Sequence, residues 1–207
     1  MTKQDILDNL RLRSTNPDDD NIKYKKNIEK VLMRCPDLLY ALNEKDLESE
    51  LFNEDGTLNV DADGNPLGEW DRYFGDNANI RPYLFIPQTQ TEIKHYVCYQ
   101  TNFTETLKYK DIQKYGKIVF NIFIHGEDRT DLLTGIPRHD LIGSIIKDKI
   151  NWTNIFGIQC HLCSDQESST DNNYVVRTLV FETTSLNSIT QSSINYNPNI
   201  INKLGRM

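Results

Sequence analysis

The sequence predicts an α+β protein in which helices pack on a mostly antiparallel sheet, with a helical N-terminal region and long loops. Two observations lead to this fold class. The second half of the chain contains strand-like runs around one amphipathic helix, whereas the first 50 residues carry apolar residues at helical spacing. The runs are 117–125 (strand), 137–147 (helix), 156–163 (strand) and 174–181 (strand). At 207 residues, the chain can form one domain with elaborations.

The overall charge limits the classes of partner. A net charge of −7 weighs against general binding to nucleic acid or anionic membranes, because those surfaces attract clustered Lys and Arg. No apolar run is long enough to span a bilayer, and the first residues lack the apolar core of a signal peptide. We therefore expect a chain that is intracellular when made, without a membrane partner. Its four cysteines are too scattered for a disulfide framework, so reduced thiols are expected.

The N-terminal region, residues 1–79, is predicted to contain helices followed by a long loop. Apolar residues suggest one early helical turn around Ile6 and another around Ile28, and the proline at position 36 should break or kink the helical run. Residues 53–79 are rich in Gly, Asp and Asn, which is typical of a loop, with a small hairpin through Leu58 and Val60. Its aromatic residues indicate that the end of this loop packs on the fold. They are Trp70, Tyr73 and Phe74.

Residues 80–186 are predicted to form the α/β core domain. The run from Pro82 to Pro87, fenced by prolines, suits an edge strand. In the run 117–125, the apolar set Phe120, Ile122 and Ile124 should face the core, where the helix from Pro137 packs its apolar stripe. That stripe is Leu141, Ile142, Ile145 and Ile146. The polar stretch 164–173 is interpreted as a hairpin loop, and residues 187–207 as a C-terminal arm or disorder.

Two short motifs could bind a metal ion. Cys160 and Cys163 form a Cys-x-x-Cys pair, which is half of a zinc site, but side chains three apart on a strand point to opposite faces. Asp61, Asp63 and Gly64 resemble the first half of a calcium loop, but Trp70 stands where the bidentate acid is due. We therefore expect structural cysteines, an acidic turn, and neither a metal nor another cofactor.

Catalytic candidates are sparse. His125 and His139 could act as general bases, and Glu127, Asp128 and Asp131 could suggest a metal-dependent nuclease. No nucleophile elbow, phosphate loop or dinucleotide fingerprint accompanies them. Surface or capping histidines and a solvated acidic loop are the simpler interpretation, so no catalytic residue is assigned and the chain is not expected to be an enzyme.

Three charged residues stand out for another reason. Arg138 and Asp140 open the predicted helix, and Arg177 falls within an apolar strand, where an unpaired buried charge would be costly. They could form ion pairs within the subunit, or they could pair across a subunit boundary. We take the subunit interface as the site hypothesis.

The order of these elements resembles the tail-completion, or tail-terminator, proteins at the head–tail junction of tailed bacteriophages. The resemblance rests on a helical N-terminal part, a strand ending in Ile124 and His125, the helix from Pro137, and a closing hairpin with the run from Arg177 to Phe181. It covers roughly residues 80 to 185. The longer N-terminal region and the aromatic-bearing loop depart from the family's minimal pattern.

The resemblance implies a structural virion protein that closes the phage tail and joins it to the neck. It implies a homo-oligomer, commonly a hexameric ring, with neck or connector and tail-tube proteins as neighbours and with genome DNA passing through without specific binding. An acidic balance suits such a conduit because carboxylates repel DNA phosphates. The alternatives are another neck or tail-tube-associated assembly protein and, from a different class, a metal-dependent nuclease or zinc-thiolate protein.

Overall fold

The computed structural model describes residues 2–15, 20–43, 50–75, 78–87, 93–105, 113–156, 159–170 and 173–186. These residues form helices α1 (Lys3–Thr15), α2 (Asp20–Leu32), α3 (Pro36–Asn43) and α4 (Arg138–Ile150). They also form strands β1 (Ile80–Arg81), β2 (Tyr96–Glu105), β3 (Gln113–His125), β4 (His161–Ser169) and β5 (Tyr174–Leu186). Within these ranges, no helix has the length and apolar character needed to cross a membrane.

The five strands form one sheet in the order β1-β2-β3-β5-β4. Every pairing is antiparallel except that of β1 with β2, which is parallel. Strands β3 and β5 occupy the interior of the sheet and pair along 13 positions, from Gln113 with Leu186 to His125 with Tyr174. The predicted α+β class, with its mostly antiparallel sheet and helical N-terminal region, is confirmed.

Helix α4 packs on the sheet face that the alternation in β3 predicted. Phe120, Ile122 and Ile124 are fully buried, and so are Ile142 and Ile146 of α4 in the same core. Leu141 and Ile145 lie at the side of this contact and are partly buried. The helix begins one residue after Pro137, whose missing N–H costs nothing at a helix start.

The N-terminal helices contribute to this same core. Tyr24, Ile28 and Leu32 of α2 and Leu38 and Leu39 of α3 are buried with the sheet residues. Pro36 begins α3 after a three-residue break, as the proline predicted. By contrast, the described side chains of α1, residues 3–12, are exposed.

The long loop after α3 is ordered by short backbone bridges. Phe52 pairs with Leu58, and Val60 pairs with Pro66, so the small hairpin expected near Leu58 is present. Tyr73 at the end of the loop is fully buried, and its neighbours Trp70 and Phe74 pack against the core. This confirms that the aromatic end of the loop is attached to the fold.

The prediction of an edge strand at Pro82–Pro87 is wrong. The edge pairing is made by Ile80 and Arg81, and residues 82–87 cross the second face of the sheet without strand hydrogen bonds. There Phe85 packs against a small second core, and the guanidinium of Arg81 lies 3.8 Å from the centre of its ring. Two prolines leave the segment short of donors, and side-chain packing attaches it instead.

The predicted bounds of the hairpin loop, 164–173, are also wrong, because the loop is shorter. Residues up to Ser169 belong to β4, which begins at His161 rather than at Phe156. β4 lies at the edge of the sheet, and its side chains are mostly exposed. An edge strand in solvent does not need an apolar face, so its polar sequence resembles a loop. The predicted arm at 187–207 lies outside the described residues.

Candidate functional site

A buried arginine organises the segment between β3 and α4. The side chain of Arg138 has no solvent exposure, and its Nη2 donates to Oδ1 of Asp128 over 2.9 Å. Its Nη1 donates to the backbone carbonyl of Ala41 in α3 over 3.0 Å. Because a buried charge is stable only when it is paired and hydrogen-bonded, these contacts fix the segment against the core.

His95 extends this cluster to the sheet. Its Nδ1 accepts the backbone N–H of His125 at 3.2 Å, and its Nε2 lies 2.9 Å from Oδ2 of Asp128. An accepting Nδ1 assigns the ring proton to Nε2, which then donates to the carboxylate. Both ring nitrogens are therefore engaged, and the ring joins the start of β2 to the end of β3.

Of the three acids after β3 that were expected to be solvated, Glu127 is exposed, whereas Asp128 and Asp131 are held by protein groups. Asp128 is held by both Arg138 and His95. Asp131 is 6% exposed, and its Oδ2 accepts from the backbone N–H of Thr134 at 2.8 Å and from its hydroxyl at 2.7 Å. These hydrogen bonds, with Arg138 nearby, lower the pKa of Asp131.

Residues 131–136 form a tight turn, which we call the leucine turn. The backbone N–H of Asp131 donates to the carbonyl of Ile136 at 3.0 Å, and Gly135 has φ +70°, which a side chain would disfavour. At its tip, Leu132 is 79% exposed and Leu133 is 77% exposed. A turn fixed on one side by a buried acid thus presents two leucines to solvent.

A polar cleft of about 660 Å³ lies beside the leucine turn. Arg72, Lys94 and Arg129 line it, together with Glu127 and Asp128. Groups of both signs and an open polar wall suit a polar segment of another chain better than a drug-like apolar molecule.

A smaller apolar pocket of about 230 Å³, which we call the edge pocket, lies at the outer side of β2. In the described part of the chain, no strand pairs with β2 on that side beyond Cys98. The pocket walls include Phe74, Ile80, Pro82, Tyr83, Tyr99 and Glu29.

Arg177 forms a second charge cluster on the other side of α4. Its Nε and Nη2 donate to the two oxygens of Asp165 on β4, each over 2.8 Å, and its Nη1 donates to Asp140 of α4. Lys147 donates to the same Asp165 carboxylate at 3.0 Å. The hydrogen bonds from Arg177 lower the pKa of Asp165 from 3.8 to about 2.

The three residues of the interface hypothesis thus separate into two clusters. Asp140 and Arg177 are paired with each other, whereas Arg138 lies in the buried cluster with Asp128. All of these pairs form within one subunit, which is one of the two alternatives that the sequence left open. A role for these residues at a subunit boundary stays a prediction.

The two histidines, which were expected at the surface or in capping positions, are both buried, and Nδ1 of His125 accepts the backbone N–H of Glu127 at 3.3 Å. His125 is 7% exposed, and its ring lies nearly perpendicular to that of Tyr174 with the ring centres 5.3 Å apart. His139 is 6% exposed, and its Nε2 lies 3.0 Å from Oε1 of Glu167. Position at the end of an element does not imply exposure when a neighbouring strand covers that end.

The metal candidates are dispersed in the structure. Cys160 is fully buried before β4, where burial raises its pKa to about 12, whereas Cys163 is exposed on β4. Asp61 accepts hydrogen bonds from the backbone of Asp63 and Asn65 inside its own turn. Among the residues that the structure describes, no three His, Cys, Asp or Glu side chains form a metal-ligand group.

Sequence reasoning missed His95 and the leucine turn. A signal for the turn was present, because Asp131 and Gly135 are turn residues that enclose two leucines with no helical or strand partner pattern. No local pattern pointed to His95, since its partners are 30 and 33 residues away.

Comparison with known proteins gives one family. A family model described as YomW matches residues 36–183, from the start of α3 into β5. No curated protein matches the chain.

Proposed function

The chain belongs to the YomW family, which is phage-derived, and from this premise we propose that it is a structural virion protein of the head–tail junction. In this proposal it closes the phage tail, joins it to the neck, and works as a ring of identical subunits, with a hexamer as the expected number. Its neighbours are neck or connector and tail-tube proteins, and it turns over no substrate.

The observation that carries the proposal is the leucine turn. Two leucines that are almost fully exposed at the tip of an anchored turn are unusual for a surface that meets only water. Their anchor, the buried pairing of Arg138 with Asp128, fixes the turn before any partner arrives. A rigid apolar projection is what an assembly contact requires, because little conformational entropy remains to be lost on binding.

Two of the three acids that could suggest a nuclease, Asp128 and Asp131, support the structural function instead. The carboxylate of Asp128 is shared between Arg138 and His95, and Asp131 closes the leucine turn. Their oxygens therefore stabilise the fold. The net charge of −7 is also compatible with a conduit for DNA that does not bind its cargo. The second candidate, another assembly protein of the neck or tail tube, would use the same surface.

Deleting the gene from the phage that encodes this chain tests the proposal. We expect lysates with DNA-filled heads and separate tails, visible by electron microscopy, and a loss of infectious particles. Supplying the wild-type chain from a plasmid should restore joined virions, which controls for effects on neighbouring genes. Joined, infectious particles without the chain would contradict the proposal, and a failure in DNA processing before head filling would favour the nuclease alternative.

A further inference from the structure

We infer that copies of this chain associate head to tail, with the leucine turn of one copy inserted into the edge pocket of the next. The inference rests on the proposed ring and names the two surfaces that close it. The occupant of the edge pocket is thus a second copy of the same chain.

The leucine turn is already in a shape that can insert. Asp131 caps it through Thr134, and its backbone is closed by the hydrogen bond from Asp131 to Ile136. Leu132 and Leu133 stand outside this frame. Burial of two such side chains in a partner would remove apolar surface from water without first ordering a loop.

The edge pocket has a matching size and chemistry. A cavity of about 150 Å³ lined by apolar side chains can hold a benzene molecule, so a pocket of about 230 Å³ can take leucine side chains. Its walls are fixed, since the hydroxyl of Tyr99 donates to the backbone carbonyl of Lys25 at 3.3 Å and Ile80 belongs to the core. Tyr83 at the rim is 40% exposed and would be covered by the incoming turn.

The charges beside the two surfaces are complementary. Arg129 is exposed two residues before the leucine turn, and the half-buried Glu29 lines the edge pocket. A cation next to the inserted residues and a carboxylate next to the receiving pocket favour the correct orientation. The outer edge of β4 is a poorer receptor, because its acids Asp165 and Glu167 are already paired within the subunit, with Arg177 and Lys147 and with His139. The strand is also interrupted by a bulge after Leu162.

The two surfaces share no residue. A contact between two different patches is heterologous: the leucine turn of each subunit enters the pocket of one neighbour, and its edge pocket receives the turn of the other neighbour. Repetition of this contact generates a ring when the rotation between subunits closes. A contact of the turn with itself would instead stop at a dimer.

Two variants with complementary defects test the inference. The turn variant carries Leu132→Asp and Leu133→Asp, and the pocket variant carries Glu29→Lys and Tyr83→Asp. We expect each to be monomeric by size-exclusion chromatography with light scattering at concentrations where the wild-type chain forms rings. Each lost leucine should weaken association about 30-fold or more if it acts as a hot spot.

Mixing the two variants gives the decisive measurement. The intact turn of the pocket variant can enter the intact pocket of the turn variant, and no further contact is then available. An equimolar mixture should therefore form one-to-one dimers and nothing larger. A control variant, Val60→Asp with Leu67→Asp, changes two other exposed apolar residues, which lie in the loop after α3 and are 43% and 40% exposed, and should leave the rings intact.

Circular dichroism and thermal melting establish that each variant is folded, and Tyr83→Asp alone replaces the pocket variant if Glu29→Lys unfolds the chain. Rings that persist in the turn variant would overturn the inference while leaving the proposed function in place. A turn variant that is monomeric together with a pocket variant that still forms rings would also overturn the inference, since the leucines would then bind elsewhere. A wild-type chain that never forms rings would contradict the proposed function itself.

Discussion

Two arginines on either side of α4 show how differently the same side chain can serve this fold. Arg138, at the start of the helix, has no solvent exposure and pairs with Asp128 in the interior. Arg177, on β5, keeps 14% of its side chain exposed and pairs with Asp140 and Asp165 near the edge of the sheet. Both guanidinium groups are paired with carboxylates, but only that of Arg138 is completely surrounded by protein.

The difference lies in what remains when one partner is removed. Water reaches the carboxylates around Arg177, which are 28% and 45% exposed, whereas those around Arg138 are 14% and 8% exposed and the arginine itself has no solvent exposure. The cluster of Arg138 is therefore the one on which the leucine turn depends. We expect variants of Asp140 and Arg177 to fold, so these two residues are the better ones for testing the predicted role at a subunit boundary.

Removing each arginine should give the largest contrast. Arg138→Met should lower the free energy of unfolding by about 3–5 kcal/mol, because it removes the hydrogen bonds from a buried guanidinium to Asp128 and to the carbonyl of Ala41, and the positive charge near the buried Asp131. Arg177→Met should cost about 1 kcal/mol, as expected for a pair that solvent reaches. Urea denaturation of the two variants, followed by circular dichroism, measures both values. Equal losses would show that burial does not separate the two clusters.

A glycine of α4 tests the same comparison with a smaller effect. Gly143 is buried against Arg177, and a Cβ added there would lie 3.0 Å from Cδ and 3.1 Å from Nε of that side chain. Gly143→Ala should gain about 1 kcal/mol of helix propensity but should displace Arg177 from its carboxylates. We expect little net change in the wild-type background.

The full gain should appear once Arg177 is replaced by alanine, because nothing then opposes the new methyl group. The double-mutant cycle should give a coupling of about 0.5–1 kcal/mol between the two positions. Replacing Lys147 by alanine instead gives the matched control, since Lys147 shares Asp165 but is not among the nearest atoms to the added Cβ. Additive effects of Gly143→Ala and Arg177→Ala would contradict the close packing.

The sequence predicted the parts of this fold that depend on apolar periodicity. Phe120, Ile122 and Ile124 face the stripe of α4 because a strand and a helix must each bury one face, and both periods are visible locally. The bounds predicted for the strand at 156–163, which is β4, were wrong because an edge strand in solvent carries no such period. Its polar run 164–169 became a strand through pairing with β5, which is a property of the sheet and not of the segment.

The candidate site was less accessible from the sequence for a related reason. In the sequence, Arg177 stands out because a charge within an apolar strand is costly, and Arg138 because it opens the amphipathic helix. The identity of their partners depends on contacts between distant segments. Asp128 and Arg138 are separated by ten residues, whereas His95 and Asp128 are separated by 33. Burial of His125 and His139 likewise depends on neighbouring elements and has no local signature.

The titration of Asp165 gives the smallest and most specific test of the exposed cluster. Its pKa is lowered from 3.8 to about 2, first by the hydrogen bonds from Arg177 and then by those from Lys147. Because the folded pKa lies below the unfolded one, this carboxylate stabilises the fold above about pH 4 and loses that contribution as the pH falls through about 2.

Arg177→Met should raise the pKa of Asp165 toward 3.8, as followed by NMR of its side-chain carboxyl carbon. Lys147→Met should raise it less, since one donor is lost instead of two. A pKa that stays near 2 without Arg177 would mean that another group stabilises the carboxylate, and the two sides of α4 would then differ in burial but not in their dependence on arginine.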